Sequence, residues 1–236
     1  MNFLIVVLLV IVVLAVLAFL VQNALFMRTE YYKLTGNSLL ATLYDKGRCG
    51  EYMIYKQLRF LERKGGKFLF NIYVPKTEDE TTEIDVALVC SKGILVFESK
   101  NYSGWIFGNE KQKMWTQTLP QGKGKSVKKH FYNPIFQNKT HIKYLKNIVG
   151  ENVPIFSVIV FSERCELKKV TYTEQNVHVI KRNNIVDCVA EISKKNESIL
   201  SNEQINDIYN KLYKDTQVTE EQKNRHVETI KNKYIK

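Results

Sequence analysis

Residues Phe3 to Val21 form nineteen consecutive apolar residues. As a helix this run extends about 28 Å, close to the roughly 30 Å hydrocarbon core of a bilayer. The run therefore predicts a transmembrane helix. A cleaved signal peptide is the alternative, but its leading segment carries Lys or Arg and its apolar stretch covers only about 7 to 15 residues. Here no basic side chain precedes the stretch, whereas Arg28 and Lys33 follow it, diluted by Glu30. The positive-inside bias then sets the N-terminus outside and the C-terminal part in the cytoplasm, as a single-pass protein of the cell membrane.

Residues from about 30 to 236 have the size of one domain, or of one domain with an extension, and suffice for a real core. Cys49, Cys90, Cys165 and Cys188 include no CxxC pair and no His at zinc-finger spacing. They read as reduced structural thiols, which argues against a sulfur-ligated metal. The net charge of +11 is uneven: Asn101 to Val149 hold nine lysines against the single acid Glu110, a local excess of +8. Lysines facing a polyanion release condensed counterions, so nucleic acid is the first partner suggested. A solvated surface, or one facing anionic lipid, satisfies the same charge.

Met53, Ile54, Leu58 and Leu61 recur at helical spacing, predicting a helix over residues 48–61 with Glu51 in its first turn. "KFLFNIYVP" (67–75) reads as a strand and the acidic "KTEDETTE" after it as an exposed loop. "IDVALVC" (84–90) and "ILVFES" (94–99) flank a short glycine turn, the signature of an antiparallel hairpin. With Lys92 and Gly93 as the turn residues, position 85 would pair with 100 and 87 with 98. Asp85, Glu98 and Lys100 then share one face. A one-residue slip would separate Asp85 from the other two unless a bulge corrects it. Two carboxylates suit Mg²⁺ or Mn²⁺, which keep waters and accept phosphate oxygens as further ligands. Such a metal activates water and stabilises charge developing on a phosphodiester, with the lysine beside it. The same triplet is also satisfied by a plain cross-strand salt bridge.

Gly50-Glu51 at a helix start, "EIDVALV", "GILVFESKNYSGWIFG", Trp115, and "NPIFQN" followed by His141 together resemble the nuclease-related domain (NERD) family, assigned to the PD-(D/E)XK nuclease-like superfamily. The resemblance covers about residues 45 to 150. It implies a restriction-endonuclease-like α/β core, a mixed central sheet flanked by helices. It also implies Asp85 and Glu98 as metal carboxylates, Lys100 as the catalytic lysine, and Glu51 and Gln137 completing the pocket. Ser99 stands where the family commonly has threonine or another small residue.

Asn133 and Pro134 predict a helix from there to about Val149, with Gln137 and His141 on one face. His141 is a candidate phosphate or substrate contact; His130, His178 and His226 have no such context. Asn101, Gly104 and Gly108 suggest turns after Lys100. Trp105 and Trp115 are candidates for base stacking, with core packing the expected fate of at least one. "LPQGKGKSVKKHFYNP" reads as a mobile basic loop whose Lys123, Lys125, Lys128 and Lys129 would contact a phosphate backbone without reading bases. "VPIFSVIVFS" and "NVHVIKRN" predict further strands. From Ser201 two helices follow, the second opened by Thr219 and Gln222, with Lys231, Lys233 and Lys236 at a basic end.

The expected organisation is a membrane anchor (1–27), a linker (28–44), the nuclease-like core (45–150), its α/β continuation (151–200) and a helical extension (201–236). The extension is available for homo-oligomer contacts. The functional expectation is a membrane-anchored, Mg²⁺- or Mn²⁺-dependent nuclease that hydrolyses DNA with little sequence specificity. The alternative is a non-catalytic nucleic-acid-binding or scaffold protein that keeps the same fold.

Overall fold

The computed structural model of the chain describes residues 3–78 and 80–234, with side chains as far as Ile230. The lysines at 231, 233 and 236 lie outside the described side chains. The apolar run is helix α1 (Phe3–Met27), exposed along nearly its whole length, and by length and composition it is able to cross a membrane. Its last turn differs, because Phe26 is buried with its ring edge-on to Tyr52 at 5.1 Å between centroids.

Residues 28–44 are not the linker expected. They form α2 (Glu30–Thr35) and α3 (Leu39–Tyr44), opened by the hydroxyl caps Thr29 and Ser38. Tyr31 is fully buried, its ring 4.9 Å from Phe70, and Leu39 is buried in the same core cluster. Aromatic residues in an outwardly polar segment thus tie the end of α1 directly to the domain. Next, α4 (Lys46–Leu58) starts where the Asp45 carboxylate accepts the Arg48 N–H at 2.9 Å. That start precedes the expected one by two residues and puts Glu51 in the second turn, not the first.

The chain continues through β1 (Lys67–Pro75), β2 (Thr81–Cys90), β3 (Gly93–Lys100), β4 (Gly104–Asn109), β5 (Met114–Gly122) and β6 (Lys125–Tyr132). It then forms α5 (Pro134–Val149), β7 (Ile155–Phe161), β8 (Cys165–Thr171), β9 (Val177–Lys181), α6 (Ile185–Lys195), α7 (Asn202–Tyr213) and α8 (Glu220–Tyr234). Two mixed sheets result. The first has the order β1-β2-β3-β7-β9, antiparallel across β1, β2 and β3 and parallel from β3 to β9. One face packs on α4 and α6 through Leu58, Phe97, Val158 and Ile192; the other packs on α5 and α7 through Val96, Leu145, Ile205 and Leu212.

The second sheet, β6-β5-β4-β8, takes the place of the mobile basic loop expected over residues 119–134, while the chain does turn after Lys100, at residues 101–103, and again at 110–112 before β5. Its root is Trp115, fully buried and stacked on Phe161 with ring planes 2° apart. A Cβ on Gly108 would lie 2.3 Å from the Trp115 ring, so Gly108 serves close packing on that indole and not a bend. The lysines of β6 are exposed on both strand faces, which removes the alternation by which a strand is usually recognised.

Candidate active site

The β2–β3 register brings the site together by a route different from the expected one. The turn is Ser91-Lys92, closed by Cys90 opposite Gly93, so Val86 faces Phe97 and position 85 falls opposite 98 instead of 100. The shift is two residues, which preserves facing. The alternation that sends Ile94 and Val96 toward α5 continues to Glu98 and Lys100. Asp85 sits at an interruption in the β1–β2 ladder. Between the pairs Phe70–Val86 and Ile72–Ile84, Asn71 adopts a left-handed φ of 50°, and the two strands exchange faces there.

Glu98 is 1% exposed and held from two sides: Lys100 Nζ donates to Oε1 at 2.5 Å, and His141 Nε2 lies 3.0 Å from Oε2. The Thr82 hydroxyl lies 2.6 Å from His141 Nδ1. A consistent donor chain is Thr82 O–H to Nδ1 and Nε2–H to Glu98, which requires the Nε2-protonated tautomer. Lys100 Nζ also donates to Gln137 Oε1 at 3.1 Å, so α5 presents Gln137 and His141 to the same strand end, one turn apart. Asp85 Oδ2 accepts the Ser99 N–H at 2.8 Å.

Gly50 explains how Glu51 joins them. A Cβ at position 50 would lie 2.4 Å from Ser99 Oγ, so only glycine lets α4 approach β3 this closely. Glu51 is then buried, with Oε2 lacking any hydrogen-bond partner. Burial, with repulsion from Glu83, Asp45 and Glu98 outweighing Arg48, pushes its carboxyl up to about 8. Asp85 also lies well above the carboxylate range, through burial and then the charges of Glu98 and Glu51, against the pull of Lys100. Burial acts on Glu98 too, but Lys100 and His141 outweigh it and hold that carboxyl below its ordinary value. Lys100 is opposed by burial and still raised, because Glu98 and Asp85 face it.

Asp85, Lys100, Gln137 and His141 line a cavity of about 340 Å³. Buried oxygen donors that repel one another, one of them without a partner, suit a hard divalent cation. Asp85 and Glu98 would hold it. Among the described residues no three His, Cys, Asp or Glu side chains are grouped as a metal cage.

The nucleic-acid contacts read from sequence divide. His141 is 3% exposed and lines the cavity, with Nδ1 at the Thr82 hydroxyl and Nε2 at Glu98. Trp105 is 39% exposed, with Lys168 Nζ 5.6 Å from its ring centroid, whereas Trp115 is core. Lys123, Lys125, Lys128 and Lys129 are exposed along the β5–β6 hairpin.

Sequence reasoning missed Thr82, Tyr102 and His226. Thr82 is in a segment taken for a loop. His226, on α8, places Nδ1 3.0 Å from Thr81 Oγ1 and packs edge-on against Tyr73, bringing itself and Ile230 to the cavity rim. No local pattern ties it to a strand 145 residues away.

Comparison with known proteins agrees with this core. The family model described as nuclease-related domain matches residues 46–162. An uncharacterized protein of Bacillus anthracis is 30% identical over 191 residues, covering 81% of this chain and 86% of its own.

Proposed function

The chain belongs to the nuclease-related domain (NERD) family, and from that premise we propose that it is a membrane-anchored, metal-dependent nuclease of the PD-(D/E)XK kind, hydrolysing DNA phosphodiester bonds with little sequence specificity. The observation that carries this reading is the convergence of Asp85, Lys100 and Gln137 at one cavity, with Glu98 buried beneath it against Lys100 and His141 and Glu51 buried with an unpartnered oxygen. A bound Mg²⁺ or Mn²⁺ would supply Lewis-acid stabilisation and an activated water at Asp85 and Glu98.

The chain's own residues divide the remaining work. Lys100, kept protonated by Glu98 and Asp85, places a fixed positive charge where a phosphate gains negative charge. Gln137 orients that ammonium, and Thr82 with His141 fixes the Glu98 carboxylate. The exposed hairpin lysines offer backbone contacts without base-edge donors in a fixed array, consistent with weak sequence preference. The apolar α1, followed directly by the packed α2 and α3, would hold the cavity close to the membrane on its cytoplasmic side.

One observation favours a second reading. Both oxygens of Glu98 are already hydrogen-bonded within the protein, as in a structural ion-pair network. The second reading is a binding or scaffold protein. Melting the purified full-length chain in detergent with Mn²⁺, Mg²⁺ or chelator separates the two: a nuclease site gains Tm with metal and loses that gain in Glu98→Gln. An unchanged Tm at millimolar metal, together with no cutting of DNA, favours the scaffold.

A further inference from the structure

Beside the candidate active site lies a second concavity of about 350 Å³, lined among others by Lys46, Asn101, Tyr102, Lys129, Phe131 and Arg164. Its lining contains no Asp or Glu. The three cations come from the start of α4, from β6 and from the β7–β8 turn, so the fold, not the sequence, gathers them. Neither Lys46 nor Lys129 is within ion-pair distance of a carboxylate among the described residues.

The cleft is braced. Arg164 Nη2 donates to Asn101 Oδ1 at 2.9 Å and to its carbonyl at 3.0 Å, and Arg164 Nε donates to Ser162 Oγ at 3.1 Å. Asn101 Nδ2 in turn donates to the Lys46 carbonyl at 2.8 Å. Asn101 directly follows Lys100, so the cleft begins one residue beyond the candidate catalytic lysine. Tyr102 and Phe131, whose rings meet edge-on at 4.9 Å, line both this cleft and the candidate active-site cavity. They form a shared wall between an acid-bearing cavity and a groove whose charged residues are all basic.

We propose that this groove seats the phosphodiester backbone of the nucleic-acid strand flanking the bond to be cut, with Lys46, Lys129 and Arg164 on its phosphates. The inference rests on the nuclease reading above and gives it a direction: the strand leaves the cavity over Tyr102 and Phe131, toward the start of α4. A polymer is the fitting occupant, because it alone fills both concavities at once while its charge repeats along its length. Lys123 and Lys125, at the hairpin tip and absent from the lining, would add only diffuse attraction.

The test uses full-length protein in neutral detergent with chelator, and fluorescence anisotropy of labelled single- and double-stranded oligonucleotides across a salt series. Lys46→Gln/Lys129→Gln should weaken binding about tenfold or more and flatten the log K against log salt slope by about 2. Lys123→Gln/Lys125→Gln should change the slope by less than half of that, and both variants should melt like wild type. The proposal is overturned if the hairpin-tip pair carries the slope and the cleft pair binds normally. It is also overturned if the cleft pair loses affinity only for phosphatidylglycerol vesicles, which would make the groove a lipid contact. Parallel cleavage assays with Mg²⁺ separate the two levels. Wild type that binds through the cleft and never cuts removes the nuclease reading but keeps the groove, whereas wild type that cuts, with the cleft pair unimpaired, removes the groove alone.

Discussion

His141 Nε2 lies 3.0 Å from Glu98 Oε2 while its Nδ1 lies 2.6 Å from the Thr82 hydroxyl, so one buried ring fixes the carboxylate of β3 against both α5 and β2. A carboxylate clamped this way keeps its orientation whatever occupies the cavity. His141→Phe should lower kcat by about 10- to 100-fold with KM changed only a few-fold, as expected when the support of a metal-binding carboxylate is lost. His141→Gln, which can still donate to Glu98, should retain more activity. Steady-state cleavage kinetics check both, and equal losses in the two variants would mean that packing, not the hydrogen bond, is what matters.

The Lys100–Glu98 pair is buried, so removing one partner strands the other. Glu98→Gln should destabilise the protein by about 3 to 5 kcal/mol, read as a fall in Tm or urea midpoint. Glu98→Leu/Lys100→Met should recover much of that loss, because a buried pair replaced by apolar groups of similar volume is often neutral. Both variants should be inactive, which separates the pair's structural contribution from its chemical one.

The pH dependence of stability has a definite sign. Glu51, raised to about 8, and Asp85, raised well above the carboxylate range, bind protons more tightly folded than unfolded. Metal-free protein should therefore lose stability as pH rises from about 4.5 toward 8. Glu98, lowered, contributes in the opposite sense, with stability lost only as pH falls through its depressed value, below that window. Thermal melts from pH 5.5 to 8.5 should show a declining Tm that Glu51→Gln flattens. Mg²⁺ should restore more stability at pH 8 than at pH 5.5, since its ligands must be ionised.

Gly50 and Ser99 are packed where a methyl group has no room. Gly50→Ala should cost about 1 to 3 kcal/mol by overpacking and should reduce turnover further by displacing Glu51. Ser99→Gly in the same chain should recover part of both, as expected for residues in direct contact. Melts and cleavage rates of the two single variants and the double variant measure that coupling.

Much of this architecture is legible locally. β1 runs over the residues its apolar, aromatic run and terminal Pro75 indicate, and Asn133 begins α5 by accepting the Ile135 N–H. The association of Asp85, Glu98 and Lys100 is readable because a shift of two residues leaves facing intact, although the turn falls one residue earlier than the spacing suggests. Other features are not local. The β5–β6 hairpin projects into solvent with both faces wet, so no period marks it. Residues 28–44 look like a linker because their burial depends on aromatic partners as distant as Phe70. His226 meets Thr81 only through tertiary packing. By contrast, the spacing of Ile185, Cys188, Val189 and Ile192 does announce α6.

The most direct test of the proposed chemistry is cleavage of plasmid, linear and single-stranded DNA by the full-length chain with Mg²⁺, Mn²⁺ or chelator, beside Asp85→Asn and Lys100→Ala. Cutting that needs the metal and disappears in both variants is the expected result. DNA bound but left intact by wild type, with binding unchanged in the two variants, would contradict it and leave Asp85, Glu98 and Lys100 as a structural network beneath a basic groove.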